Sequence, residues 1–522
     1  LADGVYFSGS VDAIVPKDEA AIRAVLDGRA ARAEEDVKRH AFLERLKSRT
    51  LDLPADLVFL QDVEALALGK TAKSRALREA GFAETPQDAH RLLLQTGVWD
   101  VFADPFPARE GVSLKSAKAP VPPPPEESRV DLRHLGAYAI DNEDSADPDD
   151  ALSFALEDGA RTLYVHIADP AAGVLPDSEA DVEARGRGAT VYLPEGVNRM
   201  LHDQALAYYA LGLGETSPAL TFKLKLDAQC FPVETSVFPS GVRVTRMSYA
   251  GADAVLHGDC GGAAGQTLAA LDQIARDNVE RRLNAGASIL NFPEARVRLD
   301  GGEVSIEQQT AYKSGVIVRE CMLLAGEGAA QWALGRRLPF PFVSQETGEV
   351  PRDLAPGLAG FYQLRRCMRP RQLSSSPRLH WGLGLDVYTQ VTSPLRRYTD
   401  LLCHQQIRAS LAGRAPLDED QMLARLAVCE RAAQAATRAE RAASAHWTRV
   451  FLSDKIGSEW EAVVLERKGP HALVCIPCLA LELHIAVYGA AERIKPNDAL
   501  SVKIASVKIA EGIINASAAA AG

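Results

Sequence analysis

"AIDNEDSADPDDALSF" runs from Ala139 to Phe154. It carries Asp141, Glu143, Asp144, Asp147, Asp149 and Asp150 and no basic residue. The apolar runs on either side, "YAI" and "ALSFAL", read as buried strands, so the acids sit at strand ends and not in a tail. Carboxylates at this density repel one another, and something must offset the repulsion. A calcium loop of the EF-hand type does not fit. Counted from Asp141, Ala146 stands where that loop needs Gly and Leu152 where it needs Glu. Two readings remain. One is a solvated charged loop. The other is a set of hard oxygen ligands for magnesium, which keeps several waters and shares its shell with substrate phosphate.

A chain of 522 residues exceeds one hydrophobic core and predicts about three or four domains. Its net charge of -11 does not by itself argue for a nucleic-acid binder. Such binding follows local basic patches, however, and not totals. No apolar stretch is long enough to span a membrane. The opening "LADGVYFSGSVDAIVPKDEAAIR" lacks the basic and apolar regions of a signal peptide. The cysteines are scattered, mostly through apolar segments, which predicts reduced, buried thiols and a cytoplasmic protein. "CIPC" (Cys475, Cys478) has the spacing of a zinc or redox pair. It lacks a second such pair and lies in a strand-like run, so it is expected to pack in a core.

"APVPPPPEESR" (Ala119 to Arg129) marks a linker, since consecutive prolines favour extended chain. Residues 1–118 before it are rich in helix formers. Gly69 and Gly81 punctuate this part, and Thr85-Pro86 has the form of an N-cap followed by Pro at the first helical position. Lys70, Lys73, Arg75 and Arg78 lie between the glycines, where a basic helix is expected. The outline is either a helix-turn-helix or an ordinary bundle with a solvated basic face. Residues 130–455 begin as strands, with a hairpin signal at Glu157-Asp158-Gly159, and turn helical later, which predicts a large α+β domain. Residues 456–522 are short strands with closely spaced turns, the character of a small OB-fold barrel.

A second dense motif is "YTQVTSPLRRYTDLLCHQQI" (Tyr388 to Ile407). Ser393-Pro394 reads as a turn or helix start. Arg396 and Arg397 near a helix N-terminus make either a phosphate site or salt bridges to core acids.

Together the two motifs resemble the catalytic domain of the ribonuclease II family. The pattern I-D-x5-D-x-D-D-A is met by Ile140, Asp141, Asp147, Asp149, Asp150 and Ala151. "LYVHIAD" (Leu163 to Asp169), "RGATVYLPEGVNRML" (Arg187 to Leu201) and "TSPLRRYTDLL" follow in the family's order. The last section resembles the family's C-terminal S-one-type domain. Three features depart from the family. Ser217 and Pro218 stand where a basic residue is usual. "PFVSQE" (Pro341 to Glu346) replaces a common Arg-x-His. A helical front replaces the usual pair of cold-shock domains, and a helix-turn-helix-like domain is expected there.

The resemblance implies a magnesium-dependent, processive 3′-to-5′ exoribonuclease that releases nucleoside 5′-monophosphates. It is expected to act as a monomer on RNA with a free 3′ end, away from any membrane. Asp141, Asp147, Asp149 and Asp150 would hold two magnesium ions, one arriving with the substrate. Asp149, Asp147 and Arg396 would be catalytic. Tyr192 would hold the terminal nucleotide, Glu440 would lie near the 3′ end, and Arg187 and Arg397 would touch phosphate. Lys70 and Lys73 are further expected RNA contacts, from the basic helix. His166 and His404 are expected to be structural. The alternative is a catalytically inactive nucleic-acid-binding regulator on the same fold. Against it, a dead domain would gain nothing by keeping like charges together.

Overall fold

The computed structural model describes residues 4–10, 13–258, 261–487 and 493–520. The chain divides into two compact units, Leu1–Arg109 with Lys508–Ile513, and Glu110–Val507 with Ile514–Gly522.

In the first unit, the Asp18 carboxylate accepts from the Ala21 N–H at 2.7 Å and starts a helix over Glu19–Ser48. Only its end is anchored. Phe42 and Leu46 pack with Leu60, Val63, Leu77 and Leu93 from the helices Gln61–Ala67, Arg75–Ala80 and Pro86–Gln95. Thr85 caps the last of these, with Pro86 at its first position, and Gly81 ends the one before it at φ 82°.

The expected basic helix is corrected here. Lys70 and Lys73 lie in the turn, and only Arg75 and Arg78 are helical. The reason is local. The Ser74 hydroxyl accepts from the Leu77 N–H at 3.2 Å, and the Ser74 N–H is tied to Glu84 at 2.7 Å, so the helix cannot begin earlier.

The second unit is built on a seven-stranded sheet. Its spatial order is Val244–Ser248, Ala137–Asp141, Asp150–Glu157, Ala160–Ala168, Ser217–Leu226, Pro232–Val242 and Val130–Asp131. The two outermost pairs are parallel and the inner ones antiparallel. Asp158 (φ 50°) and Gly159 (φ 79°) make the two-residue turn read from the sequence, and such turns need positive φ at both positions. Helix Lys313–Gly335 packs across the sheet. Gly326 has no room for a Cβ against the Tyr388 ring and the Thr389 carbonyl, so the helix approaches that segment closely.

The proline-rich segment is docked and is not a free spacer. Val121 is buried, and Glu183 accepts from the Lys118 and Ala119 N–H groups at 2.8 and 2.7 Å. Residues 110–118, expected with the helical domain, also fall in this unit, where the Ala117 N–H donates to the Arg199 carbonyl at 3.0 Å.

Helix Glu419–Ser453, started by a capping box between Asp418 and Gln421, leads into the closing barrel. Five strands, Glu459–Lys468, His471–Ile476, Leu481–Val487, Ile513–Ala520 and Ala499–Lys508, close in that order. Closure removes the exposed edges a small sheet would otherwise present. Cys475 is buried on the outer face of the barrel, against Leu358 and Tyr362 of helix Gly357–Cys367, and Cys478 is half-buried, both as free thiols. Among the described residues no helix is long and apolar enough to cross a membrane.

Candidate active site

Strand Ala137–Asp141 ends where the acids begin, and strand Asp150–Glu157 starts where they end. The loop between them is fixed at its far side. The Pro148 carbonyl accepts from the Leu211 N–H at 3.0 Å and the Asp149 carbonyl from the Ala168 N–H at 2.7 Å. Asp149 is 3% exposed. Its carboxylate accepts from the Leu395 N–H and from Arg396 Nε, both at 2.9 Å. Burial nonetheless pushes its carboxyl up to about 7, against the pull of Arg396 and the Leu395 N–H. Asp150 is likewise pushed to about 7 by burial, with the Asp141 charge adding to it and Arg396 opposing.

Arg396 comes from a tight turn. The Arg396 and Arg397 N–H groups both donate to the Ser393 carbonyl, at 3.2 and 2.9 Å, and the Ser393 N–H donates to Asp400 at 2.9 Å. Arg397 is held by the same Asp400 at 2.6 Å. Helix Tyr398–Leu411 follows. Burial works against the Arg396 charge, but Asp149, Tyr192 and Asp150 outweigh it and hold the guanidinium firmly protonated.

Asp141, Asp150, Arg396 and Arg397 line one cavity of about 250 Å³. Asp141 accepts from Ser145 Oγ at 2.6 Å and from the Asn142 N–H at 2.8 Å. Asp147 does not line this cavity but accepts from the Tyr192 hydroxyl at 3.2 Å, close to Arg396 and Asp149. Tyr192 sits on the short strand Val191–Leu193, which is tied to the arginine turn because the Thr190 N–H donates to the Arg396 carbonyl at 3.0 Å. The Tyr192 N–H donates to Glu440 at 2.8 Å, and burial pushes the Glu440 carboxyl up. Burial first, then the Asp147 charge, raises the Tyr192 hydroxyl far above its ordinary range.

The other expected residues are placed differently. Arg187 is engaged with Glu183 at 2.9 Å and the Lys115 carbonyl at 2.8 Å. Lys70 and Lys73 are exposed and belong to the first unit. His166 is buried in a chain of hydroxyls, 2.9 Å from Ser153 Oγ and 2.8 Å from Thr221 Oγ1. His404 lies 2.7 Å from the Val391 carbonyl. Arg319, Tyr249, Tyr388 and Thr392 also line the cavity and were not anticipated. Tyr388 and Thr392 stand inside the motif quoted for its arginines. Tyr249 and Arg319 sit in no dense motif, so local pattern carried no signal for them.

The donor set suits a hard cation in part. Among the described residues no three acidic, histidine or cysteine side chains enclose a point. Asp141 and Asp150 instead face one cavity as like charges, the Asp141 charge raising Asp150, and the Asp150 charge in turn raising the buried Asp149. Magnesium is commonly bound by one or two carboxylates plus waters and phosphate oxygens, so the set fits that ion.

A family model of the RNB domain matches residues 129–352 and 361–413, more than half of the chain. A model of a double HTH domain matches residues 23–105. An uncharacterized ribonuclease of Synechocystis sp. is 29% identical over 97% of this chain and 80% of its own length. The chloroplastic/mitochondrial ribonuclease II of Arabidopsis thaliana is 28% identical over 79% of this chain, which spans 57% of that protein. Among solved structures, an active-site mutant of the Dss1 exoribonuclease from Candida glabrata superposes with a TM-score of 0.75 at 18% identity, covering 97% of this chain and 72% of that one.

Proposed function

The chain belongs to the ribonuclease II family of RNB-domain proteins, and on that premise we propose that it is a 3′-to-5′ exoribonuclease that hydrolyses RNA processively to nucleoside 5′-monophosphates. The name of a relative, exoribonuclease 2 of Edwardsiella piscicida, 30% identical over 63% of this chain and 58% of its own length, supports the reaction class. One observation carries the reading most directly. A buried carboxylate, Asp149, grips Arg396 at the wall of a cavity that Asp141 and Asp150 also line. A charge kept at a cavity wall against the penalty of burial has use in chemistry more than in stability.

Asp141, Asp147, Asp149 and Asp150 would hold magnesium, one of two ions arriving with the substrate. Magnesium, when bound, activates water for attack on phosphorus and steadies the leaving oxygen. The chain's own residues do the rest. Asp149 fixes the Arg396 guanidinium through one oxygen and the turn backbone through the other. Arg396, thus aimed, stabilises the negative charge that grows on the phosphate in the transition state. Tyr192 offers its ring to the terminal base, and Glu440 sets the height of that ring through the Tyr192 N–H. Arg397 retains donors toward the cavity while Asp400 holds it. Arg187, Lys70 and Lys73 are assigned to phosphate contacts away from the reacting bond.

The domains are taken as a helix-turn-helix-like RNA-binding part over 1–109, a docked connecting segment over 110–129, the catalytic body over 130–455 and an RNA-binding barrel over 456–522. The protein is taken to act in the cytoplasm as a monomer. The test is digestion of a 5′-labelled RNA with magnesium and with excess chelator. Conversion of the full-length strand to a short 5′-labelled end product, without accumulating intermediates and only with the metal, is expected. An intact RNA that remains bound under both conditions would favour the inactive regulator instead.

A further inference from the structure

The acidic stretch contains two carboxylates that the catalytic reading leaves over, Glu143 and Asp144, and Asp144 has cationic partners outside the loop. Asp144 stands on the loop between the two strands and pairs with Arg296 at 2.9 Å, with Arg298 at 3.7 Å. Both arginines come from strand Ala295–Asp300, which forms a two-stranded antiparallel hairpin with Glu303–Gln308. Alternate residues of a strand share a face, so Arg296 and Arg298 project from one side and Val297 and Leu299 from the other. Ile306, directly opposite Val297, packs against the hydrophobic cluster of the barrel. The hairpin thus has an apolar face on the barrel and a charged face on the acidic loop, where Glu307, opposite Arg296, pairs with Arg298 at 2.9 Å and leaves Arg296 as the nearer partner of Asp144. The loop is held at Ser145 as well, whose hydroxyl donates to Asp141 at 2.6 Å and whose carbonyl accepts from Arg246.

We propose that Arg296 and Arg298 are positioning residues for the metal-binding carboxylates. By gripping Asp144 they hold the loop so that Asp141 and Asp147, at its two ends, stay where a cation can use them. The proposal rests on the metal-dependent reading of that site. Two guanidinium groups this close would by themselves repel a divalent cation and weaken its binding. If they help, they help through geometry, and the two effects have opposite sign.

That sign is the test. Magnesium is titrated calorimetrically into the full chain without RNA, and amide hydrogen exchange is followed over Asn142 to Asp147. The double variant Arg296→Gln/Arg298→Gln should bind magnesium about threefold more weakly, the scale of an exposed ion-pair network. Its loop amides should exchange faster. Asp144→Asn should speed exchange at the same amides, and the triple variant should go no further, because all three side chains act through one contact. Magnesium binding that is unchanged or tighter in the double variant would overturn the proposal, as would additive exchange in the triple variant. Wild-type protein that leaves RNA intact in magnesium would sink the nuclease reading instead, and the exchange results would still decide the role of the hairpin in holding the loop.

Discussion

Arg396 and Lys73 both lie in turns just ahead of a helix, Tyr398–Leu411 in one case and Arg75–Ala80 in the other. In both turns a serine N–H is tied to a carboxylate, Ser393 to Asp400 and Ser74 to Glu84. The basic side chains then part company. Arg396 is clamped by Asp149, which is itself 3% exposed and bonded to the turn backbone. Lys73 is exposed to solvent. A charge fixed from several directions in a partly dry cavity loses little to solvent screening and presents one geometry. A charge on an exposed lysine is screened by salt and adapts to whatever approaches. The first arrangement suits chemistry on one bond, and the second suits loose attraction to a backbone.

The largest expected effect tests the fixed side of this contrast. Asp149→Asn should lower turnover by about 10³-fold or more, while RNA affinity stays within a few-fold. The amide keeps the shape but can accept from only one of the two donors, Leu395 N–H and Arg396 Nε, and turns an N–H on the other. Single-turnover digestion in saturating magnesium measures the first quantity and filter binding the second. Retention of more than a few per cent of wild-type turnover would remove Asp149 from the centre of the mechanism.

Next in size is Arg396→Lys, expected to cost about 10²–10³ in rate. Lysine keeps the charge but not the planar fork that holds Asp149 and still points donors at substrate. If the clamp works as a unit, combining it with Asp149→Asn should lower the rate far less than the product of the two single losses. Multiplicative losses would mean that the two residues act apart.

The clamp also explains what could be read in advance. The acids lie within ten consecutive residues, Asp141 to Asp150, and the arginines within one short motif, so each cluster is visible as a local pattern. The bond that joins them spans 247 positions, and the Tyr192–Glu440 bond spans 248. No periodicity reports contacts of that separation; only the resemblance to a family pointed to those residues. The error at Lys70 and Lys73 is of another kind. Ser74 ahead of "RALREAG" is a legible N-cap. The density of basic residues outweighs it to the eye, and a turn reads as helix. The docking of the proline-rich segment is hidden as well, because Val121 carries no mark in composition of the surface it covers.

A smaller effect is expected at Tyr192, whose ring is exposed although its N–H and hydroxyl are held. Tyr192→Ala should weaken the grip on the terminal nucleotide by about 1–3 kcal/mol. It should also change the length at which the last short oligonucleotides stop. Glu440→Gln should be mild, since the amide oxygen can still accept from the Tyr192 N–H, and Glu440→Ala should shift the end products toward the Tyr192→Ala pattern. End products on a homopolymer, resolved by gel, that are the same for all four proteins would separate Tyr192 from the substrate.

The smallest effect belongs to the exposed turn, and it tests the other side of the contrast. Lys70→Ala/Lys73→Ala should reduce RNA affinity only a few-fold at moderate salt and leave turnover at saturating RNA unchanged. What should change is the dependence on salt. Every phosphate that is no longer neutralised lowers the slope of log affinity against log salt by about 0.7 for a single strand. Arg75 supplies the control, because it stands one residue into the helix and is paired with Glu79 at 2.6 Å. Its removal takes away a positive charge whose field is already offset, so Arg75→Ala should leave the slope close to wild type. Net charge alone would make any two such variants behave in proportion to the charges removed. Placement in an open turn predicts that the lysines count and the paired arginine does not. Equal slopes for wild type and the lysine pair would make the turn an ordinary solvated surface, and a slope for Arg75→Ala as low as that of a single lysine variant would show that net charge, not its placement in the turn, is what RNA feels there.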